Sequence, residues 1–225
     1  MIIGKGLISK SLADSFADNR DILIFASGVS NSEETNEEVF RTERNLLDST
    51  IKKNPDKKIV YFSSIFVKNK LKIPYYIHKK NMEKLIKKKS NNYLIIRLPQ
   101  IIGLGGNQNN LINFLVKKID KSETIYIEKK TYRAIIDIDD LKKIVIYLLK
   151  TKKKIVNIYG FERVEVIEIV DTISKIKQKP IFVVLMEKGI SIKKNKSRFI
   201  KKMIKNTQIN IKNYTIKTLK KYLND

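Results

Sequence analysis

The segment PYYIHKKNMEKLI, Pro74 to Ile86, carries two adjacent tyrosines, each followed four residues later by a lysine: Tyr75 with Lys79, and Tyr76 with Lys80. Residues at i and i+4 share one face of a helix. An ammonium beside a phenol favours the tyrosinate and lowers its pKa. Such a tyrosine can exchange a proton with a carbinol or carbonyl oxygen. In a chain this rich in lysine, either pair also reads as ordinary side chains on a basic helix. His78, the single histidine, reads as a surface or packing residue beside them.

Three further segments carry chemistry-bearing residue types. GKGLIS places Gly4 and Gly6 in a turn between a short strand and a helix. Glycine there lets backbone approach a phosphate seated on the helix N-terminus. Ser9 stands where a G-x-G-x-x-G turn would have its third glycine, so a plain strand–helix turn is the competing reading. FASG ends an apolar run with Ala26, Ser27 and Gly28, and VYFSS ends another with Ser63 and Ser64. A hydroxyl at the carboxyl edge of a parallel strand faces the crevice where ligands bind. The same hydroxyls also bond local backbone readily.

These segments need elements to hold them. The 225 residues, 42% hydrophobic, are enough for one core or a core plus a small lobe. DILIFASG, KKIVYFSS and NYLIIRLPQIIG read as buried strands without polar alternation, the last stopped by Pro99. Helices lie between them: NSEETNEEVFRTERNLLDSTIKK, capped by Asn31 or Ser32, and YYIHKKNMEKLIKKK. Apolar strands alternating with helices predict a parallel sheet covered on both faces. Past Gly103, GGNQNN reads as a loop, LINFLVKKI as a helix, and TIYIEKKTYRAIIDIDDLKK as short strands before a helix opening at Asp139 or Asp140. KIVNIYG and KPIFVVLM read as strands, VEVIEIVDTISKI and YTIKTLKKYL as helices.

Composition excludes several classes of function. Without cysteine there is no disulfide, thiolate nucleophile or thiolate-bound metal, and one histidine cannot make a multi-histidine metal site. No apolar run approaches the ~20 residues of a membrane span. The N-terminus lacks a basic start followed by an apolar core, so no export signal is read and a cytoplasmic location is expected. The net charge of +24 would suit nucleic acid. The lysines, however, are spread along the chain rather than gathered in one arm, which favours a solvated surface and no nucleic-acid partner. Only the lysine-rich C-terminal third keeps the nucleic-acid alternative open.

The order of the segments carries a resemblance. Glycine turn, FASG, VYFSS, Tyr-x-x-x-Lys helix, IIRLPQIIG and YRAIIDIDDLKKIV together resemble the extended short-chain dehydrogenase/reductase superfamily, the NAD-dependent sugar-nucleotide epimerases, dehydratases and reductases. The resemblance covers roughly residues 1 to 175. It implies an α/β fold: a Rossmann-like parallel sheet with helices on both faces and a small C-terminal lobe. It implies NAD or NADP as cofactor, with Gly4, Gly6, Leu7 and Ile8 at the pyrophosphate, and Ala26, Ser27, Gly28, Lys79 and Pro99 around the nicotinamide ribose. The family's glutamate four residues after the catalytic lysine matches Glu83. That selects Tyr75 and Lys79 over Tyr76 and Lys80, the runner-up pair. Tyr75 is then the general acid/base, Lys79 its activator, and Ser64 the group that orients the substrate oxygen. Gln100, in place of the family's asparagine, and Arg133 are implied as contacts to a nucleotide-sugar substrate, and Asp140 as a helix cap. A homodimer through the Tyr75 helix is implied as well, with Met82, Leu85 and Ile86 suiting either that interface or the core.

Two departures are visible. Only about a dozen residues separate Ser9 from Asp21, so strands 2 and 3 of a 3-2-1-4-5-6 sheet are expected to be missing, and with them the ribose-binding acid. Val39 stands where the family has an asparagine supporting the lysine. The expected division is a shortened dinucleotide-binding region, 1–103, and a substrate-binding region, 104–225, interleaved in one compact unit. The expected function is an NAD(P)-dependent oxidoreductase, epimerase or dehydratase on a nucleotide sugar, serving surface polysaccharide synthesis. The alternative is a non-catalytic Rossmann-like module that binds a nucleotide or a protein.

Overall fold

The computed structural model describes residues 1–69, 72–106, 110–187, 189, 191 and 197–224. Residues 107–109 of the GGNQNN loop and residues 192–196 of the lysine-rich IKKNKSRFIKK stretch lie outside the described residues.

The chain begins β1 (Ile2–Ile3), α1 (Leu7–Phe16), β2 (Ile22–Phe25), α2 (Glu37–Lys53), β3 (Lys58–Ser64), α3 (Pro74–Lys89) and β4 (Tyr93–Leu98). It continues β5 (Gln100–Ile102), α4 (Leu111–Asp120), β6 (Ile125–Glu128), β7 (Tyr132–Arg133), β8 (Ile135–Asp137) and α5 (Ile138–Leu149). It ends β9 (Ile155–Asn157), β10 (Val164–Glu165), α6 (Val166–Lys177), β11 (Val183–Met186), α7 (Arg198–Thr207) and α8 (Tyr214–Leu223). Two compact units result: Met1–Leu98 with Val145–Ile158, and Pro99–Ile144 with Tyr159–Asp225.

The first unit is built on a parallel sheet of order β1-β2-β3-β4-β9. The residues explain it. β2, β3 and β4 are runs of Ile, Leu, Val, Phe and Tyr, suited to strands buried on both faces. Leu23, Phe25, Ile59, Tyr61 and Ile95 pack one face against Leu47 and Ile51 of α2 and Met82 and Ile86 of α3. The alternate set, Ile24, Val60, Leu94 and Ile96, is equally buried. Among the described residues no strand continues the sheet beyond β1. That is the order left when strands 2 and 3 are removed from a 3-2-1-4-5-6 sheet, as the short Ser9–Asp21 interval predicts.

Local signals differ from expectation in places. α2 starts later than read and is capped by Asn36, whose side chain accepts from the Glu38 N–H, with Glu37 and Glu38 in its first turn and Lys52 and Lys53 in its last. Asn31 instead accepts from the Glu33 N–H in a local turn. α3 opens with Pro74 in its first turn, where a missing N–H costs nothing. Met82 and Ile86 are fully buried and so belong to the core, with Leu85 packed against them.

Among the described residues the second unit holds three strand pairs: β5 with β8, β6 with β11, both parallel, and β7 with β10, antiparallel. Pro99 ends the β4 ladder as expected, but the chain resumes at once as β5. The core is aliphatic, from Leu115 and Ile119 of α4, Ile169, Val170 and Ile173 of α6, and Leu219 and Leu223 of α8. Asp137, not Asp140, caps α5: its Oδ1 accepts from the Asp139 N–H at 2.9 Å. Asp140 accepts the Tyr214 hydroxyl at 2.8 Å. α7 was not foreseen. Its lysines read as solvated surface, and only Ile200 and Met203, one turn apart, are fully buried.

Candidate active site

The glycine turn comes first. Gly4 has φ of +134°, and a Cβ there would lie 2.5 Å from the Ala26 carbonyl oxygen. Only glycine lets β1 run this close to the end of β2. Gly6 caps α1 without a side-chain hydrogen bond, and no acidic residue stands in the first turn. A Cβ at Gly6 would meet nothing within 4 Å. The N–H groups that open a helix, here at Leu7 and Ile8, have no intrahelical partner, and they suit a phosphate. Ser9 is buried and turns back to donate to the Gly6 carbonyl at 2.8 Å.

Ser64 closes β3, and its Oγ accepts from the Phe66 N–H at 3.2 Å. Ser63, one residue earlier, is buried and its hydroxyl has no hydrogen-bond partner among the described residues. Strand alternation puts Ser63 on the Tyr61 side of the sheet.

The Tyr75–Lys79 pair lies on α3, one turn apart. Lys79 is 3% exposed, whereas Lys80 is exposed to solvent. The Lys79 ammonium stands 5.6 Å from the Tyr75 ring centroid and 5.4 Å from that of Tyr61. Tyr75 meets Tyr76 edge-on, and Tyr76 in turn leans on Phe66. Gly28 approaches from the end of β2: a Cβ there would lie 2.5 Å from Lys79 Nζ. So Lys79 lies between Gly28 and the Tyr75 ring.

The group at the centre is one that the motifs did not point to. Glu43, on α2, is 4% exposed. Its Oε1 accepts from Tyr61 Oη at 3.1 Å and from Lys79 Nζ at 3.3 Å. Its Oε2 accepts from the Val29 N–H at 2.8 Å and meets His78 Nε2 at 2.8 Å. Both oxygens are thus fully engaged. His78 is neither a surface residue nor mere packing: its ring stacks on Phe40 at 4.5 Å and its nitrogen is spent on Glu43. The signal for Glu43 was periodicity. Glu43, Leu47, Thr50 and Ile51 share the buried face of α2, so an acid stood on an apolar stripe. Val39, at the position of the family's asparagine, is 37% exposed.

Electrostatics follow from this packing. Burial raises the Glu43 carboxyl, but the His78 hydrogen bond, the Lys79 charge and the Val29 N–H outweigh it and take the pKa to about 2. Burial lowers the Lys79 pKa, and Glu43 offsets only part of that. Burial, then Tyr76 and the Glu43 charge, raise the Tyr75 phenol above its ordinary value. Tyr61 is raised in the same way, by burial and then by Glu43. An activated tyrosine needs the opposite shift.

The remaining expected residues lie in the second unit. Gln100 pairs with Ile135 on β8. Arg133, two residues before Ile135, is on β7 opposite Val164 and donates to its neighbour's carbonyl, Tyr132 O, at 3.2 Å. Pro99 precedes β5. Among the described residues no cluster of His, Asp and Glu could hold a metal, and no helix is long and apolar enough to cross a membrane.

The residues at the phosphate end of this site fit a dinucleotide: the turn is open and unobstructed, and the helix start carries no competing acid. The lysine end fits less well, because the Lys79 ammonium already has an anionic partner.

The sequence matches no protein-family model and no curated protein. The fold does have relatives. UDP-glucuronic acid 4-epimerase from Bacillus cereus, solved with UDP-glucuronic acid and NAD, superposes with a TM-score of 0.70 at 16% identity, over 97% of this chain and 79% of that one. dTDP-glucose 4,6-dehydratase from Bacillus anthracis, solved with NAD, gives 0.68 at 16% identity, over 97% and 77%. RMD from Pseudomonas aeruginosa, complexed with NADPH, gives 0.67 at 16% identity, over 99% and 88%. At this identity the likeness establishes the fold: the Rossmann-like architecture expected from the motif order is the one these enzymes have.

Proposed function

We propose that this chain is an NAD(P)-dependent oxidoreductase, epimerase or dehydratase that acts on a nucleotide sugar, in the cytoplasm and in the service of surface polysaccharide synthesis. Residues 1–103 serve the dinucleotide and 104–225 the sugar nucleotide. The observation that carries the reading is that one unit holds an open glycine turn, a strand ending in Ser64, and a helix on which Lys79 meets both the Tyr75 ring and Gly28. The fold shared with enzymes solved with NAD, NADPH and UDP-glucuronic acid supports it. Gly4, Gly6, Leu7 and Ile8 would hold the pyrophosphate; Ala26, Ser27, Gly28 and Pro99 would flank the nicotinamide ribose. When bound, the nicotinamide supplies hydride chemistry. This chain's part is to orient the substrate oxygen with Ser64 and to hold or move the proton on Tyr75 Oη. Gln100 and Arg133 are assigned to the substrate's nucleotide and phosphate.

Calorimetric titration with NAD(H) and NADP(H), on the full chain and on Gly6→Asp, tests this reading. Micromolar binding abolished by the aspartate supports it, and a nucleotide-sugar turnover assay with Tyr75→Phe then follows. Loss of a positioned acid/base costs about 10²–10⁴ in rate. Folded protein that binds no dinucleotide overturns it.

A specific observation favours a second reading, a non-catalytic module that binds a nucleotide or a protein: Lys79 is engaged by Glu43 and the sheet is short beyond β1. Dinucleotide binding with no Tyr75-dependent turnover on any nucleotide sugar would select it. In either case α2 and α3 leave Val39, Leu46 and Ile77 exposed on one unit, which supports a homodimer through that face; sedimentation checks it.

A further inference from the structure

We propose that Glu43 is a positioning residue of this site: its carboxylate takes the Lys79 ammonium for itself, so that Tyr75 works as a protonated donor to a carbonyl oxygen and not as an acceptor from an alcohol. The inference rests on the reading of Tyr75 as the proton-bearing group.

A lysine activates a tyrosine by placing a positive charge beside it, and a carboxylate paired with that lysine weakens the effect. Here the charge is compensated. Lys79 Nζ is 3.3 Å from Glu43 Oε1, and both side chains are almost wholly withdrawn from solvent, at 3% and 2% exposed. Water therefore does little to screen the carboxylate from its surroundings. Nor is Glu43 free to swing away. Val29 N–H and His78 fix its second oxygen at 2.8 Å each, and Tyr61 Oη shares the first. Gly28 lies so close to Lys79 that an added Cβ would meet its Nζ at 2.5 Å.

Around Lys79 and Tyr75 the uncompensated groups favour the protonated phenol. From α2 comes the Glu43 carboxylate. From β3 comes Tyr61, which is neutral and donates to it. From α3 come Tyr76, a neutral ring edge-on to Tyr75, and His78, spent on Glu43. Glu83, also on α3, is buried and matched by Arg97. No cation other than Lys79 is placed against the Tyr75 ring among the described residues. The Tyr75 phenol therefore keeps its proton at neutral pH. With a reduced nicotinamide as the hydride donor, it would have a proton to give to the oxygen of the carbonyl being reduced, and it carries no charge with which to take one from an alcohol. This picks out, from the classes of chemistry proposed above, steps that begin with a carbonyl on the substrate.

The test reads the phenol directly, without turnover. The full chain is labelled with ring-13C tyrosine, and the Tyr75 resonance is assigned by its loss in Tyr75→Phe. In the dinucleotide-free wild type, Tyr75 is expected to titrate above the ordinary value of about 10; a midpoint below 9 overturns the proposal. In Glu43→Gln, which takes the carboxylate away from Lys79 and Tyr75, the midpoint is expected to fall by at least one pH unit. An unchanged midpoint in folded Glu43→Gln also overturns it.

Should Glu43→Gln not fold, Glu43→Gln/Lys79→Met leaves no unpaired buried charge. Because the pair cancels at Tyr75, the midpoint there is expected within one unit of wild type, and a larger change overturns the proposal. The two readings fail separately. A low Tyr75 midpoint with dinucleotide-dependent turnover removes the role of Glu43 and keeps the enzyme. A high midpoint that falls in Glu43→Gln, with no dinucleotide bound, keeps Glu43's hold on Lys79 and removes the enzyme.

Discussion

Arg97 on β4 grips the Glu83 carboxylate of α3 with two nitrogens, Nε reaching Oε1 at 2.7 Å and Nη2 reaching Oε2. Glu83 is one turn beyond Lys79 on the same helix, so this pair sets the rotation of α3 against the sheet. Arg97 also donates to Asn157 Oδ1 at 3.3 Å, tying in β9. Removing one partner of a buried pair leaves the other charge uncompensated, at about 3–5 kcal/mol. Arg97→Met is expected to lower stability by that order in chemical denaturation. It should also weaken any turnover by disturbing Tyr75 and Lys79.

Glu43 gives the protein an acid limb. Its folded pKa, about 2, lies below its ordinary 4.5. A carboxyl depressed on folding contributes stability above its unfolded pKa, and that contribution disappears as pH falls through the folded value. Wild type is therefore expected to lose about 3 kcal/mol more than Glu43→Gln between about pH 5 and pH 2. Denaturant midpoints measured across that window check it; parallel curves would mean that the buried carboxylate is not ionised.

The two turn glycines should separate fold from ligand. Gly4→Ala forces a Cβ against the Ala26 carbonyl at a left-handed φ and is expected to cost about 1–3 kcal/mol. Gly6→Asp adds a good helix cap in open space, so its Tm should hold or rise slightly while dinucleotide binding is lost. A large Tm drop in Gly6→Asp would mean that the turn is packed rather than open.

In the second unit Asp137 ties α8 to the end of β8. It accepts from Lys221 Nζ and from Tyr222 Oη, each at 2.8 Å, as well as capping α5. Burial and the Asp137 carboxylate, against the opposing Lys221 ammonium, push the Tyr222 phenol up to about 12. Asp137→Ala removes all three bonds and is expected to cost about 3 kcal/mol. Hydrogen exchange should show the loss first in α8, whose Leu219 and Leu223 lie in the core.

The sequence by itself determined the parallel sheet, because runs such as KIVYFSS and YLIIRL are apolar on both faces and leave no side for water. It determined that strands 2 and 3 would be lacking, because a dozen residues cannot hold two strand–helix units. It also placed Tyr75 and Lys79 on one helix face, since a spacing of four leaves little choice. Caps and breaks were less legible. Asn36 and Asp137 were chosen over nearby Asn31, Ser32 and Asp140 by where the chain actually turned, and α7 was hidden in lysine. What only the tertiary structure decided is the company that Lys79 keeps. Glu43, Tyr61, His78 and Val29 come from separate stretches of the chain, and no local pattern brings them to one point. Whether an ammonium activates its tyrosine or is neutralised depends on a carboxylate 36 residues away in sequence and 3.3 Å away in space. Coulomb energy depends on that second distance and on the dielectric between the charges, not on separation along the chain.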